Sequence, residues 1–161
     1  AGQTALLEYV SAQPTAPLTV THARGASVGD AVANMLSAGG YQVTRENYIN
    51  DAGIHADRFS RTVTAMRSGD RLPLDGFPGA YAARIAADAS SSTHEPVAAV
   101  LEAVRREHAA TLERMGVHFD HWRSEAEVLQ ASLPTLLAAL EQAGASYVHE
   151  GALWLRSTGW G

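Results

Sequence analysis

The sequence predicts an α/β domain in which a parallel sheet is flanked by helices. Residues 5–11 form a short apolar run closed by small residues, as expected for a buried strand. A loop containing Pro14 and Pro17 follows, and a helical pattern then runs from residue 21 to the Gly39-Gly40 pair. Residues 41–48 alternate and are rich in strand formers, so we expect a second, parallel strand there. A strand, a tight loop and a helix N-terminus open the doubly wound folds that bind nucleotides.

The composition indicates one ordinary globular domain. The 161 residues suffice to bury a core, and the net charge of −5 provides no basic surface for nucleic acid. There is no cysteine, which excludes disulfides and thiolate chemistry. Every basic side chain is arginine, so Schiff-base catalysis and a lysine phosphate clamp are excluded within this chain. No apolar run reaches the ~20 residues of a membrane span, and no signal peptide is visible. We expect a cytoplasmic protein, which the absence of cysteine fits.

The rest of the chain alternates between helical and extended patterns. Helices are predicted at residues 54–68, 79–89, 97–115 and 133–143, with a Pro/Gly-rich connection at 71–79 and a polar break at 90–93. Extended segments are predicted at residues 117–123, as a strand, and at 147–158, as a hairpin turning at Glu150-Gly151.

Two carboxylates lie where the first two strands end, at the edge where open α/β sheets place ligands. Glu8 is either a surface carboxylate on a sheet edge or a ligand contact. Asp51, in the turn at residues 50–53, either caps its own backbone or contacts a ligand. The sequence alone does not decide between a structural role and a ligand contact for either residue.

The histidine pattern does not indicate a metal site. In an extended segment His118 and Asp120 share one face, whereas His121 points to the other. His108 lies on the apolar stripe of the helix at 97–115, where a packed or capping histidine is the expected role. We therefore expect no metal.

Five ordered stretches resemble the catalytic domain of arginyl-tRNA synthetase, a class I synthetase. They are EYVSAQPTAPLTVTHARGASVGD at 8–30, YINDAG at 48–53, GFPGAY at 76–81, GVHFDHWRSE at 116–125 and EGALWLRST at 150–158. The resemblance implies a Rossmann-like half of the class I (HUP-type) fold with a connective insertion. It further implies a single synthetase-like domain over 1–161, with the first Rossmann units at 1–53 and the helices and insertion hairpin at 54–161.

The family's His-x-Gly-His signature, which holds ATP, is altered in this chain. The corresponding stretch is Thr19-Val20-Thr21-His22, in which only the second histidine is kept. A glycine lets the backbone approach a nucleotide closely, and a β-branched residue such as Thr21 obstructs that approach. Gln13 and His55 also depart from the family pattern on the same ligand-facing side. We therefore expect no cofactor and doubt that ATP binds.

The resemblance assigns candidate roles to residues around this altered loop. The carboxylates would hold ammonium groups, and the histidines would move protons. The candidate catalytic residues are His22, Asp51 and His55, and the candidate substrate-binding residues are Glu8, Ser11, Gln13, Thr19, Thr21, Asn50 and Asp51.

The resemblance also implies missing parts. The second half of the nucleotide fold with its KMSKS lysines, the anticodon-binding helices and the amino-terminal tRNA-contacting domain have no counterpart in these 161 residues. Half of a doubly wound sheet exposes a strand edge and an apolar face. We therefore expect a second polypeptide that completes the fold, and we do not expect tRNA as a partner.

Three functions remain open on the sequence. The favoured one is a repurposed synthetase-like protein that binds an arginine-like or diamino acid substrate for non-tRNA chemistry, such as amine ring closure in natural-product biosynthesis. The second is a split or truncated arginine–tRNA ligase, against which Thr19 and Thr21 argue. The third is a non-catalytic pseudo-synthetase that binds another protein.

Overall fold

A computed structural model describes residues 2–88 and 97–159 of the chain. The polar break predicted at 90–93 lies outside the described residues. The chain divides into two compact units, Ala1–Glu125 and Ala126–Gly161. The predicted single domain over 1–161 stays a prediction.

The first unit contains a parallel three-stranded sheet. Its strands are β1 (Thr4–Glu8), β2 (Gln42–Ile49) and β3 (His121–Ser124), arranged in the order β1-β2-β3. Both pairings are parallel, with Leu6 opposite Thr44 and Glu46 opposite His121. The predicted parallel sheet flanked by helices is confirmed.

The first strand differs from the prediction in length and burial. It ends at Glu8 rather than Ser11, because Val10 and Ser11 have φ values of 69° and 41° and turn the chain out of the sheet. The prediction that it is buried is wrong, since β1 is an edge strand and Leu6 is 64% exposed. A continuous apolar run cannot distinguish a central strand from an edge strand that has one uncovered side.

Four helices accompany the sheet in the first unit. They are α1 (Val20–Ala38), α2 (Gly53–Ser68), α3 (Ala80–Ala87) and α4 (Val97–Arg114). The helices α2, α3 and α4 share a core that includes Phe59, Val63, Ile85, Val100 and Val104, each at most 3% exposed. A second cluster joins α1 and α4 to the loop before β3 through Ala26, Leu112 and Val117. All four helices are predicted by the sequence to within two residues at each end.

The third strand is shorter than predicted. Only residues 121–124 pair with β2, and the prediction of a strand from residue 117 is wrong. The carboxylate of Asp120 accepts the backbone N–H of Arg45 at 2.7 Å, and its own N–H donates to the Arg45 carbonyl at 3.0 Å. Val117 is turned into the core with 5% exposure. The first half of VHFDHWR is therefore a loop, which is held by Val117 in the core and by the hydrogen bonds of Asp120 to Arg45.

The last helix, α5 (Glu125–Gln142), begins eight residues before the predicted start. Pro134 lies inside it, although proline lacks the N–H of the helical ladder and normally occupies a first turn. The predicted start at residue 133 is therefore wrong, and the helix runs through Pro134.

The second unit ends in the predicted hairpin. Its strands, β4 (Ser146–His149) and β5 (Ala152–Leu155), pair antiparallel. Glu150 and Gly151 have φ values of 50° and 77°, as a two-residue type I′ turn requires. A short 3-10 turn, Ser157–Gly159, follows. Over the described part of the chain, no helix is both long enough and apolar enough to span a bilayer.

Candidate functional site

The carboxyl ends of the three parallel strands bring acidic residues to one edge of the sheet. Glu8 is the last residue of β1, Asp51 follows β2 by two positions, and Glu125 follows β3 directly. The strands are parallel and in register, so all three ends lie at the same edge. Glu8 is exposed, whereas Asp51 and Glu125 are half-buried.

The Tyr48 phenol is affected by all three of these negative charges. Burial raises the pKa of its phenol, and the negative charges of Glu125, Asp51 and Glu8 raise it further. The Asn50 amide donates to a Glu125 carboxylate oxygen at 3.5 Å, which links the ends of β2 and β3. The group defined by Glu8, Tyr48, Asp51 and Glu125 is called the acidic edge below. Its negative field suits a cationic group such as an ammonium or guanidinium.

A hydroxyl holds Glu8 in place at this edge. Ser11 Oγ donates to Glu8 Oε1 at 2.8 Å and accepts the backbone N–H of Tyr48 at 3.2 Å. The turn that returns Ser11 to the sheet has Val10 at φ 69°, with the Ser11 N–H donating to the Tyr9 carbonyl at 3.0 Å. A β-branched residue at positive φ is strained, so the surrounding structure holds this turn in place.

The altered signature loop folds onto itself at the start of α1. Thr19 is the residue that precedes the helix, and its backbone N–H donates to Nδ1 of His22 at 3.0 Å. The Thr19 hydroxyl lies 2.9 Å from the same nitrogen. Since Nδ1 accepts, the neutral imidazole carries its proton on Nε2. Two residues of the signature thus contact each other, and His22 offers an N–H rather than a lone pair outward.

A second histidine, in α4, holds the loop that contains Pro14 and Pro17. His108 of α4 is 4% exposed, and its Nε2 donates to the carbonyl of Ala16 at 2.8 Å. Burial lowers the pKa of His108, an effect partly opposed by that bond and by Glu107. The predicted packed role of His108 is confirmed, and it fixes the loop that carries the candidate site to the helical core.

The remaining predicted residues lie at the rim of this region. Gln13, Thr19, Thr21 and His55 are exposed. The His55 ring lies 6.0 Å from the ring of Phe77, centroid to centroid, on the first turn of α2. The structure therefore groups Glu8, Ser11, Asn50 and Asp51 at the acidic edge. Thr19 and His22 form a separate pair at the start of α1.

Sequence reasoning did not single out Tyr48 or Glu125 as site residues. Tyr48 lies on the same side of β2 as Thr44 and Glu46. This side could have been predicted from the alternation of side chains along a strand. Glu125 was missed because the helix it begins was placed eight residues later. Within residues 2–88 and 97–159, no three His, Asp or Glu side chains are grouped so as to hold a metal ion.

The parallel sheet and its flanking helices define the class of fold, which is similar to the catalytic domain of class I aminoacyl-tRNA synthetases. The structure of Thermus thermophilus arginyl-tRNA synthetase is similar over 98% of this chain and 30% of its own, with a TM-score of 0.64 and 25% identity. The family of class I tRNA synthetases for arginine, catalytic domain, matches residues 1–63.

The particular resemblance is to arginyl-tRNA synthetases, as predicted. The arginine–tRNA ligase of Frankia alni is 41% identical over 172 residues, which cover 96% of this chain and 30% of that ligase. The arginine–tRNA ligase of Pseudarthrobacter chlorophenolicus is 38% identical over 174 residues, covering 100% of this chain and 31% of its own. The chain thus spans about a third of the length of these curated relatives.

Proposed function

We propose that this chain is a repurposed arginyl-tRNA synthetase-like protein of the cytoplasm. In this proposal it binds an arginine-like or diamino acid substrate and, with a second polypeptide, supports chemistry that does not involve tRNA. Amine ring closure in natural-product biosynthesis is one reaction of this kind. The acidic edge is the observation that carries the proposal, because three carboxylates lie where neighbouring parallel strands end and their negative charges all raise the pKa of the Tyr48 phenol.

The charge of the acidic edge supports a cationic substrate. Carboxylates that are held in place, as Glu8 is by Ser11, form charge-assisted hydrogen bonds to ammonium or guanidinium groups without first losing conformational freedom. A neutral isostere of arginine would bring no positive charge to these carboxylates. Discrimination between charged and uncharged side chains is therefore the expected property of the site.

The signature loop supports the loss of adenylation. Thr21 places a β-branched side chain where the family has glycine, and Thr19 occupies the Nδ1 nitrogen of His22. No lysine is present in the chain to neutralise phosphate charge. We therefore propose that neither ATP nor tRNA is a substrate and that no cofactor is needed.

Calorimetric titration of the chain with arginine, ornithine and lysine tests the substrate class. We expect binding of at least one of them, no measurable binding of citrulline, and a loss of affinity of about tenfold or more in Glu8→Gln, since one charge-assisted bond contributes roughly 1.5–3 kcal/mol. Glu113→Gln, at an exposed position of α4, is the matched control and should bind as the parent does. Equal binding of arginine and citrulline would contradict the proposal.

The identity to arginine–tRNA ligases favours a second candidate, a split or truncated ligase. This candidate predicts arginine-dependent ATP–pyrophosphate exchange once the missing part is supplied. The double variant Thr19→His, Thr21→Gly should then leave the rate unchanged, because the existing loop is already competent. A large gain would instead mean that the native loop had lost the activity. Absence of all amino acid binding would favour a non-catalytic pseudo-synthetase.

A further inference from the structure

The loop at residues 12–18, which we call the proline loop, connects two parts of the candidate site. Ser11, whose hydroxyl holds the Glu8 carboxylate, precedes this loop, and Thr19, at the start of α1, follows it. Its two prolines have no backbone N–H, so the loop has fewer hydrogen-bond donors than most loops of its length. Few hydrogen bonds can therefore fix it to the rest of the fold.

One side chain from a distant helix ties the proline loop to the first unit. Nε2 of His108, in α4, donates to the Ala16 carbonyl at 2.8 Å, across 92 positions of the chain. In the part of the chain that the structure describes, this is the only hydrogen bond between the loop and another element. The other anchors are apolar, with Pro14 fully buried and Ala12 7% exposed. The position of the loop backbone therefore depends on this histidine.

The neutral imidazole is the form of His108 that fits this position. The Ala16 carbonyl can only accept, so Nε2 carries the proton of the neutral ring and Nδ1 carries none. The side chain is 4% exposed, and no group among the described residues accepts a hydrogen bond from Nδ1. A second proton would place an unpaired N–H and a full charge inside the fold. Moving the ring into water relieves that cost, but it breaks the bond to Ala16.

The charged groups around His108 do not outweigh the effect of its burial. Glu107, its neighbour in α4, and the bond to Ala16 favour the protonated form, whereas His22 of α1 disfavours it. The Glu107 carboxylate is already paired with Arg84 of α3, whose Nη2 lies 2.8 Å from both carboxylate oxygens. The proline loop itself contains no titratable side chain. Burial is the largest of these effects, so the pKa of His108 lies below its ordinary value.

We infer that His108 is a positioning residue of the candidate site: in its neutral form it holds the proline loop, and its protonation releases the loop and weakens substrate binding. Release at Ala16 frees the segment that begins at Ser11, and with it the hydroxyl that holds Glu8 and accepts the Tyr48 N–H. This inference rests on the proposed function, in which Glu8 contacts a cationic substrate. Substrate affinity is then highest above the pKa of His108 and falls as the pH is lowered through it.

NMR and amide hydrogen exchange of the free chain test the release of the loop without any ligand. The ring signals of His108 give its pKa between pH 7.5 and about 5, a range above that in which ordinary carboxylates titrate. Protection of the Ser11 and Tyr48 amides, corrected for the intrinsic exchange rate at each pH, should fall about fivefold or more with the same midpoint. The amide of Val63, in the helical core, reports global unfolding and should stay about tenfold or more better protected than either at every pH.

Calorimetric titration with arginine over the same pH range tests the effect on binding. Affinity should fall by up to about tenfold per pH unit below the pKa of His108, because one proton separates the two forms of the loop. A purely structural histidine would leave the affinity of the folded chain independent of pH in this range.

Substitutions at position 108 separate the proton from the hydrogen bond. His108→Gln keeps a donor for the Ala16 carbonyl and does not titrate, so amide protection and arginine affinity should stay at their pH 7.5 values as the pH falls. His108→Leu is apolar and donates nothing, so arginine affinity should already be low at pH 7.5. His118→Gln, at an exposed histidine of the same unit, is the matched control and should keep the pH dependence of the parent.

Loss of amide protection and of arginine affinity with the midpoint of His108 supports the inference, and the measurement on the parent chain needs no variant to fold. Four results would overturn it: protection or affinity that is constant with pH, a midpoint that differs from that of His108, Ser11 and Tyr48 amides that exchange only as fast as Val63, or a pH dependence that disappears in His22→Ala. If arginine binds at no pH while the Ser11 amide still follows His108, control of the loop by His108 stands and the proposed substrate fails.

Discussion

Nδ1 of His22 accepts the backbone N–H of Thr19 at 3.0 Å, so the surviving histidine of the signature closes the first turn of its own helix. The side chain of a residue in the first turn reaching back to the N–H before the helix is one half of a capping box. A structural role alone therefore suffices to retain His22. Any catalytic use of this residue requires the Nε2 side of the ring.

Removing this cap should destabilise the first unit. We expect His22→Ala to lower the free energy of unfolding by about 1 kcal/mol, because an N-terminal helix N–H loses its acceptor. Urea denaturation followed by circular dichroism measures the change. Thr21→Ala, one position away and exposed, should cost nothing, since alanine has the better helix propensity. Equal losses in both variants would show that His22 does not act as a cap.

Two glycines in α1 should respond in opposite directions to the same substitution. An added Cβ at Gly25 meets no atom within 4 Å, so Gly25→Ala should stabilise the chain by about 0.5–1 kcal/mol. An added Cβ at Gly29 would overlap the ring of Tyr9, so Gly29→Ala should destabilise it by about 1–3 kcal/mol. Thermal unfolding of the pair measures both, and a matching shift of the two melting temperatures would refute the packing of α1 on Tyr9.

Lowering the pH should reduce the free energy of unfolding of the first unit, because His108 is buried. Burial lowers the pKa of this histidine, so the unfolded chain takes up its proton first as the pH falls. The contribution of neutral His108 to the free energy of unfolding is fully present above the ordinary histidine pKa of about 6.5. It is lost as the pH falls from there through the lowered pKa of the folded state. Denaturant unfolding at pH values from 7.5 to about 5 measures it, above the range in which ordinary carboxylates titrate.

His108→Gln should flatten this pH dependence, because a glutamine amide can still donate to the Ala16 carbonyl but does not titrate. His118→Gln, at an exposed histidine of the same unit, is the control and should keep the slope of the parent. A slope that survives in His108→Gln would assign the pH dependence to other groups.

Ser11→Ala should reduce both stability and substrate affinity. It leaves the half-buried N–H of Tyr48 without its acceptor, a loss of about 1–3 kcal/mol, and it frees the Glu8 carboxylate. Unfolding and arginine titration measure the two effects. Ser27→Ala is the control, since Ser27 only donates to a carbonyl of its own helix, and it should change neither quantity. Unchanged arginine affinity in Ser11→Ala would separate Ser11 from the site.

The helices and the hairpin could be predicted from the sequence because their signals are local. Gly69 and Gly116 end α2 and α4 with φ values of 71° and 76°, and the Glu150-Gly151 pair fixes the hairpin turn. The start of α5 was predicted eight residues too late, and the helix continues through Pro134 although proline is rare in a helix interior.

The site could be predicted only in part, since its arrangement depends on contacts far apart in the chain. Glu8 was identified from its place toward the pocket end of the first predicted strand, and Asp51 from the turn that follows the second. Tyr48 is linked to Ser11 across 37 positions, and Glu125 to Asn50 across 75, and neither bond leaves a local signal. The contact between Thr19 and His22 spans only three positions, but a threonine in place of a histidine was interpreted solely as a loss.

The two hydrogen bonds of the Ser11 hydroxyl differ in direction: one is accepted and the other is donated. The Tyr48 N–H donates to the hydroxyl oxygen, so the single hydroxyl proton is committed to the Glu8 carboxylate. A serine arranged in this way cannot give a hydrogen bond to an incoming molecule unless it first releases Glu8. A ligand group that accepts this proton would therefore break the hydrogen bond between Ser11 and Glu8. A cation that pairs with the Glu8 carboxylate would leave that hydrogen bond intact. The end of β1 therefore responds differently to the two kinds of group: an incoming hydrogen-bond acceptor would free the Glu8 carboxylate, whereas an incoming cation would not move Ser11.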